Sequence, residues 1–194
     1  QNLADDIALT VRRAQSYAIG VRGRDGLFQV GYGVHFGVTS YDPANSSAEH
    51  TLYQGSNKSF ILYKSDISIG TGTDHHYTNT NNSCGGETSC LEMLYIKSSD
   101  YISRIGVQIS GANDVKYLDD ENSSGVSIFF KRPSPEPYIY VLGDDDNYWG
   151  IVNGAGKPQI DYVKIEISSL KDPDSKKYIT ISNTGQISVS NKDD

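Results

Sequence analysis

Along the first twenty residues the apolar side chains recur with a helical period. Leu3, Ile7, Val11, Ala14, Ala18 and Val21 follow at spacings of four, four, three, four and three, which lines them up as one stripe of an α-helix. Asp5, Asp6, Arg12, Arg13 and Ser16 fall on the opposite face, with acids towards the N-terminal end and Arg12, Arg13 and Arg22 towards the other, the order that the helix dipole favours. Gly20 and Gly23 supply the stop. The spacing predicts a helix over residues 1–23, packed through Leu3, Ile7, Val11, Ala14 and Ala18, with the small Ala14 and Ala18 letting it lie close to a sheet.

No helical pattern of that length recurs. After Gly26 the stretch LFQVGYGVHFGVTSY alternates, with Tyr32, Val34 and Phe36 on one face and Gly31, Gly33 and His35 on the other, the second face crowded by neighbouring backbone. Further strands are expected at 59–65, 101–110, 125–132, 137–143 and 162–168. A terminal hairpin pairs 177–182 with 186–191 around Asn183-Thr184-Gly185. Tyr162, Lys164, Glu166 and Ser168 alternate with Val163, Ile165 and Ile167, as in a sheet with one wet face. The pattern argues against a parallel α/β sheet, and no repeat at fixed spacing supports a solenoid or propeller. The expected class is α+β: one domain over residues 1–194, with the helix packed on an antiparallel sheet or two-sheet body at 27–191. Long loops fall at 40–58 and 70–90, and shorter ones at 111–124 and 143–160, where contact specificity tends to reside.

Composition narrows the partners. The apolar share of 37%, raised to about 47% by 19 Gly, is that of a folded protein. Seventeen basic residues against 24 acidic ones give a net charge of −7, which repels phosphate backbones and makes nucleic acid an unfavoured partner. Tyr outnumbers Phe by 14 to 5 and the polar surface is rich in Asn, Ser and Thr, an extracellular flavour. No run of 18 apolar residues occurs. The two cysteines, Cys84 and Cys90, flank a Gly-Gly pair that lets the chain bend back, so a local disulfide and an oxidising compartment are expected. Free thiols or half of a zinc site are the alternatives.

The detail of the first helix carries a resemblance. In LADDIALTVRRAQSYAIGVRG a Leu precedes a paired Arg, followed by Ala-Gln-x-x-Ala. Downstream, GYGVHF at 31–36, FFKRPSPEPYI at 129–139 and ITISNTGQISVS at 179–190 follow in order. Together they resemble type IV pilin-like proteins, closest to minor pilins and H-type pseudopilins, while the intervening loops match nothing in that group. The resemblance implies a pilin-like fold, a precursor with a cleaved basic leader, a methylated new N-terminus, and an apolar first half-helix that anchors the subunit in the membrane before assembly. None of that upstream part is in this sequence, so the chain is expected to start midway along the helix. Some relatives in the group take up DNA through basic residues near the C-terminus; here the tail reads Asn191-Lys192-Asp193-Asp194, which does not fit that role.

Other clusters are weighed on their chemistry. Asp144, Asp145 and Asp146 repel one another unless solvated or bridged, and calcium suits such hard oxygen ligands. With Tyr at 148 and no ligand-spaced Glu following, a solvated acidic turn is the plainer reading, and no cofactor is expected. Asp74, His75 and His76 read as a polar loop, because adjacent histidines point apart on a strand. Trp149, Tyr148, Tyr138 and Tyr140 could form a platform for sugar stacking. Asn-x-Ser/Thr sequons at Asn45, Asn57, Asn81 and Asn122 are what so Asn- and Ser-rich a chain yields by chance. No nucleophile elbow, phosphate loop, HExxH helix or dinucleotide fingerprint is present. The expectation is therefore a non-enzymatic subunit of a type IV pilus or type II secretion-like filament at the cell surface. Its partners would be other pilin subunits and an external surface target. The competing reading is a secreted carbohydrate- or protein-binding β domain.

Overall fold

The computed structural model describes residues 2–20, 30–40, 44, 52, 55–66, 77, 83–84, 89–118, 125–131, 134–142 and 159–191. One helix, α1 (Leu3–Gly20), opens the chain. Asn2 caps it, accepting from the Ala4 amide at 3.2 Å through Oδ1 and from the Asp6 amide at 3.1 Å through its carbonyl. Among the described residues ten strands follow: β1 (Val30–Gly37), β2 (Ser59–Asp66), β3 (Cys90–Tyr95), β4 (Asp100–Ile109), β5 (Val115–Leu118), β6 (Gly125–Phe130), β7 (Pro137–Leu142), β8 (Ile160–Ser169), β9 (Lys177–Ser182) and β10 (Ile187–Ser190). They form two five-stranded antiparallel sheets, β3-β2-β1-β6-β7 and β10-β9-β8-β4-β5.

The α+β, pilin-like class expected from the sequence is corrected: strands hold 54% of the described residues, so the fold is mainly β with one N-terminal helix. The helical period ends by Gly20, and period-two patterning takes over the rest. Two further strands were not expected: β5 lies within the 111–124 loop, and β3 begins where the 70–90 loop ends, in a stretch to which no element was assigned. β5 is only four residues long, and β3 reads CLEMLY, in which Glu92 is the one polar residue, too little to mark a period of two.

The main core lies between α1 and the inner faces of the two sheets. Ile7, Val11, Ala14 and Ala18 are fully buried and Leu3 nearly so. They join Val34, Phe36, Phe60 and Ile128 from the first sheet and Ile105, Val163, Ile165 and Ile179 from the second. The first sheet is covered on its outer face too, by a second cluster of Ile61, Tyr63, Tyr77, Cys90, Phe129 and Tyr140. That is why every residue of β6 is buried. The glycine face of β1 lies within this outer layer. A Cβ on Gly33 would come within 2.6 Å of the Tyr63 ring as well as 2.7 Å of the Ile128 carbonyl, and one on Gly31 would run into the Phe129 ring. Aromatic rings, more than backbone, therefore crowd that face.

On the second sheet, the face expected to be wet is covered at its centre, where Lys164, Glu166 and Ser168 are at most 5% exposed. Glu166 accepts from Ser103 Oγ at 2.9 Å and pairs with Lys176 at 2.9 Å. Lys164 lies 5.3 Å from the Tyr178 ring centre, and the Arg104 guanidinium stacks 3.7 Å over Tyr117. Flat tyrosines and long cation stems roof the strand, a packing that alternation cannot reveal. The turn at 56–59 ties the sheets together. Lys58 Nζ donates to the carbonyls of Ser98 at 2.9 Å and Asp100 at 2.8 Å, while the Ile96 and Ile102 amides donate to the carbonyls of Lys58 and Asn57.

Candidate assembly surface

Burying its stripe leaves α1 with an outward face that is not uniformly polar. Leu9 follows Ile7 by two residues, about 200° further around the helix. It is 64% exposed, and Ile19 is 53% exposed. The flank between the stripe and Leu9 faces the edge strand β3. There Asp6, Leu9 and Arg13 line a groove of about 450 Å³ whose other wall is Leu94, Tyr95 and Lys97. Arg13 and Glu92 form an ion pair across one end. The Arg13 guanidinium also lies 5.7 Å from the Tyr17 ring, which meets Tyr32 of β1 edge-on at 5.5 Å. A ladder Glu92–Arg13–Tyr17–Tyr32 thus fixes this flank of the helix, while Leu9 and the 41%-exposed Tyr95 stay open to solvent.

The expected site residues fall out as follows. Leu3, Ile7, Val11, Ala14 and Ala18 all pack the helix onto the sheets. Cys84 and Cys90 are joined in a disulfide, with their Cα atoms 4.7 Å apart. Asp144, Asp145 and Asp146 lie outside the described residues, as do Asp74, His75, His76, Tyr148 and Trp149. Among the described residues no group of three or more His, Cys, Asp or Glu could hold a metal ion, and no helix is long and apolar enough to cross a membrane. Tyr138 is half-buried, but Tyr140, expected beside it on an exposed platform, is 6% exposed and packs into the outer cluster.

Sequence reasoning missed Leu9 and Ile19, although their positions off the stripe were readable. It also missed a buried polar cluster. His35 and Ser127 are directly opposed across β1 and β6, with Nδ1 and Oγ 2.8 Å apart. The Tyr77 amide donates to Ser127 Oγ at 3.2 Å, and the Tyr77 ring lies 5.2 Å from His35. The pair has nucleophile–base spacing, yet His35 is 6% and Ser127 1% exposed, and the imidazole packs against Gly55 and Gly125. Both side chains lie inside the fold, where the contact serves as a satisfied core hydrogen bond. Beside it, burial holds the Tyr63 phenol well above its usual range, partly opposed by a hydrogen bond to Ser127 and reinforced by Tyr140.

Fold and surface together define a mainly β protein of two five-stranded antiparallel sheets capped by one amphipathic N-terminal helix. No protein-family model matches the chain, and neither a curated protein nor a solved structure matches it significantly.

Proposed function

We propose that this chain is a non-enzymatic subunit of an extracytoplasmic filament of the type IV pilus or type II secretion kind, assembling through the outward face of α1. The observation that carries this reading is the pair of exposed apolar side chains on α1, Leu9 and Ile19, with Leu9 lining the groove against β3. Isolated exposed apolar residues are ordinary, but an outward helix face that carries two of them, one of which also lines an adjoining groove, suits a packed neighbour.

The segments that carry the sequence resemblance also support it, because all of them meet at the helix. α1 packs on β1, β6, β9 and β10. Gln15, from the Ala-Gln-x-x-Ala stretch, donates through Nε2 to the Pro135 carbonyl at 2.9 Å and to that of Gly185 at 3.5 Å. In this reading that stretch seats the β body on the helix whose outward face meets the neighbouring subunit. The disulfide accords with an oxidising compartment. The partners are further copies or sister subunits, with nucleic acid disfavoured by the net charge of −7.

The test is a Leu9→Asp/Ile19→Asp variant made in the native host. Both residues are exposed, so the variant keeps its thermal midpoint but disappears from the filament fraction sheared off cells. Incorporation at the wild-type level overturns the reading.

A further inference from the structure

At the opposite edge of the first sheet from β3, the start of β7 faces the start of β8 and the β9–β10 turn across a cleft of about 370 Å³. Its lining comes from both sheets: Ser134, Glu136 and Tyr138 on one side, Gln159, Asn183 and Thr184 on the other. We infer that this cleft is a binding site for a neutral oligosaccharide, with Tyr138 as the stacking ring and Glu136, Gln159 and Asn183 as the hydroxyl-binding groups.

The chemistry of the lining selects the ligand. A pyranose presents an apolar C–H face and a rim of paired hydroxyls. It is matched by one aromatic ring beside planar groups that accept or donate through two adjacent atoms. Tyr138 is half-buried, its ring packed on the outer aromatic cluster, so it presents a fixed surface. The side chains of Glu136, Gln159 and Asn183 make no hydrogen bond or ion pair with a described residue, although the Glu136 and Asn183 amides and the Gln159 carbonyl do. Backbone held and side chain unspent is the arrangement that leaves polar groups for a ligand. Glu136 is the one charged group among the described lining residues, which favours neutral over anionic sugars.

The walls are pinned. Gln15 reaches from α1 to the Pro135 carbonyl on one side and the Gly185 carbonyl on the other. The Asn183 amide donates to the Asp161 carbonyl at 2.8 Å, and the Glu136 amide to Ser134 Oγ at 3.1 Å. A Cβ on Gly185, whose φ is 83°, would sit 2.5 Å from the Pro135 carbonyl oxygen. The two loops are therefore in contact before any ligand arrives, and little ordering remains to oppose binding. Gln15 is a positioning residue for the cleft.

The site is independent of filament assembly, so it is tested on the 194-residue chain alone. Saturation-transfer NMR with lactose, maltotriose and chitotriose at millimolar concentration is expected to show transfer to at least one of them, and sialyllactose to bind more weakly than lactose. Tyr138→Ala lowers the affinity about tenfold while Tyr138→Phe retains it. Asn183→Ala lowers it about fivefold. Gln15→Ala lowers affinity with the thermal midpoint nearly kept, where a purely structural role would move the midpoint alone. Absence of transfer from all three neutral sugars overturns the proposal. So does binding that Tyr138→Ala leaves intact, which would put the sugar elsewhere, or tighter binding of sialyllactose than of lactose.

Discussion

Tyr63 shows how far a single side chain here is governed by its surroundings. Its phenol is fully buried beneath the Tyr77 ring, and burial raises its pKa well above the usual value near 10. The unfolded chain ionises first, so the contribution of this group is intact below about pH 10 and is lost as pH climbs towards the folded pKa. Urea unfolding between pH 8 and the alkaline limit should show stability falling, and Tyr63→Phe should flatten the fall. Gly33 is set by the same ring. Gly33→Ala needs Tyr63 or the backbone to shift and should cost about 1–3 kcal/mol in urea unfolding. On the helix, Val11→Ala should cost about 1–3 kcal/mol because Val11 is fully buried. Leu9→Ala should stay within about 0.5 kcal/mol, since its side chain is mostly in water. The contrast separates packing from surface on one element.

At the scale of elements, legibility followed the distance over which each element is specified. The stripe of α1 lies within eighteen residues, and its five named packing residues were readable from spacing alone. β2, β6, β7, β8 and β9 start within about two residues of where alternation put them, because each is flanked by turn residues. β3 could not be read that way. It gains its place by pairing with β2, with a register shift between Leu62 and Tyr63, and its own sequence does not alternate. The contact of His35 with Ser127 spans 92 positions and exists because β1 and β6 pair in one register. Roofing of Lys164 and Glu166 likewise depends on side chains from other strands. The disulfide was legible, being local, but its role as part of the cover over the first sheet was not. Replacing both cysteines by Ala should lower stability by about 2 kcal/mol while leaving the circular dichroism spectrum unchanged, as expected for so short a closed loop.

For the whole molecule, the charge balance supplies a prediction of its own. With a net charge of −7, the chain should pass a DNA column without retention at low and moderate salt alike; salt-sensitive retention would contradict the charge argument. Of the two surfaces proposed, the α1 face was legible in part, since Leu9 and Ile19 stand off the buried stripe in the sequence itself. The cleft by β7 could not have been read at all, since its walls come from segments more than twenty residues apart. The double covering of the first sheet has a kinetic side. Its outer cover, to which Tyr77 and the Cys84–Cys90 link contribute, lies on the face of the sheet away from the helix-side core, so the two covers should open to solvent in separate steps. Amides bonded between β1 and β6 are shielded by both covers and should exchange with solvent deuterium last. Reducing the disulfide should hasten exchange in the outer layer well before it touches the helix, leaving a species with a frayed coat and an intact interior.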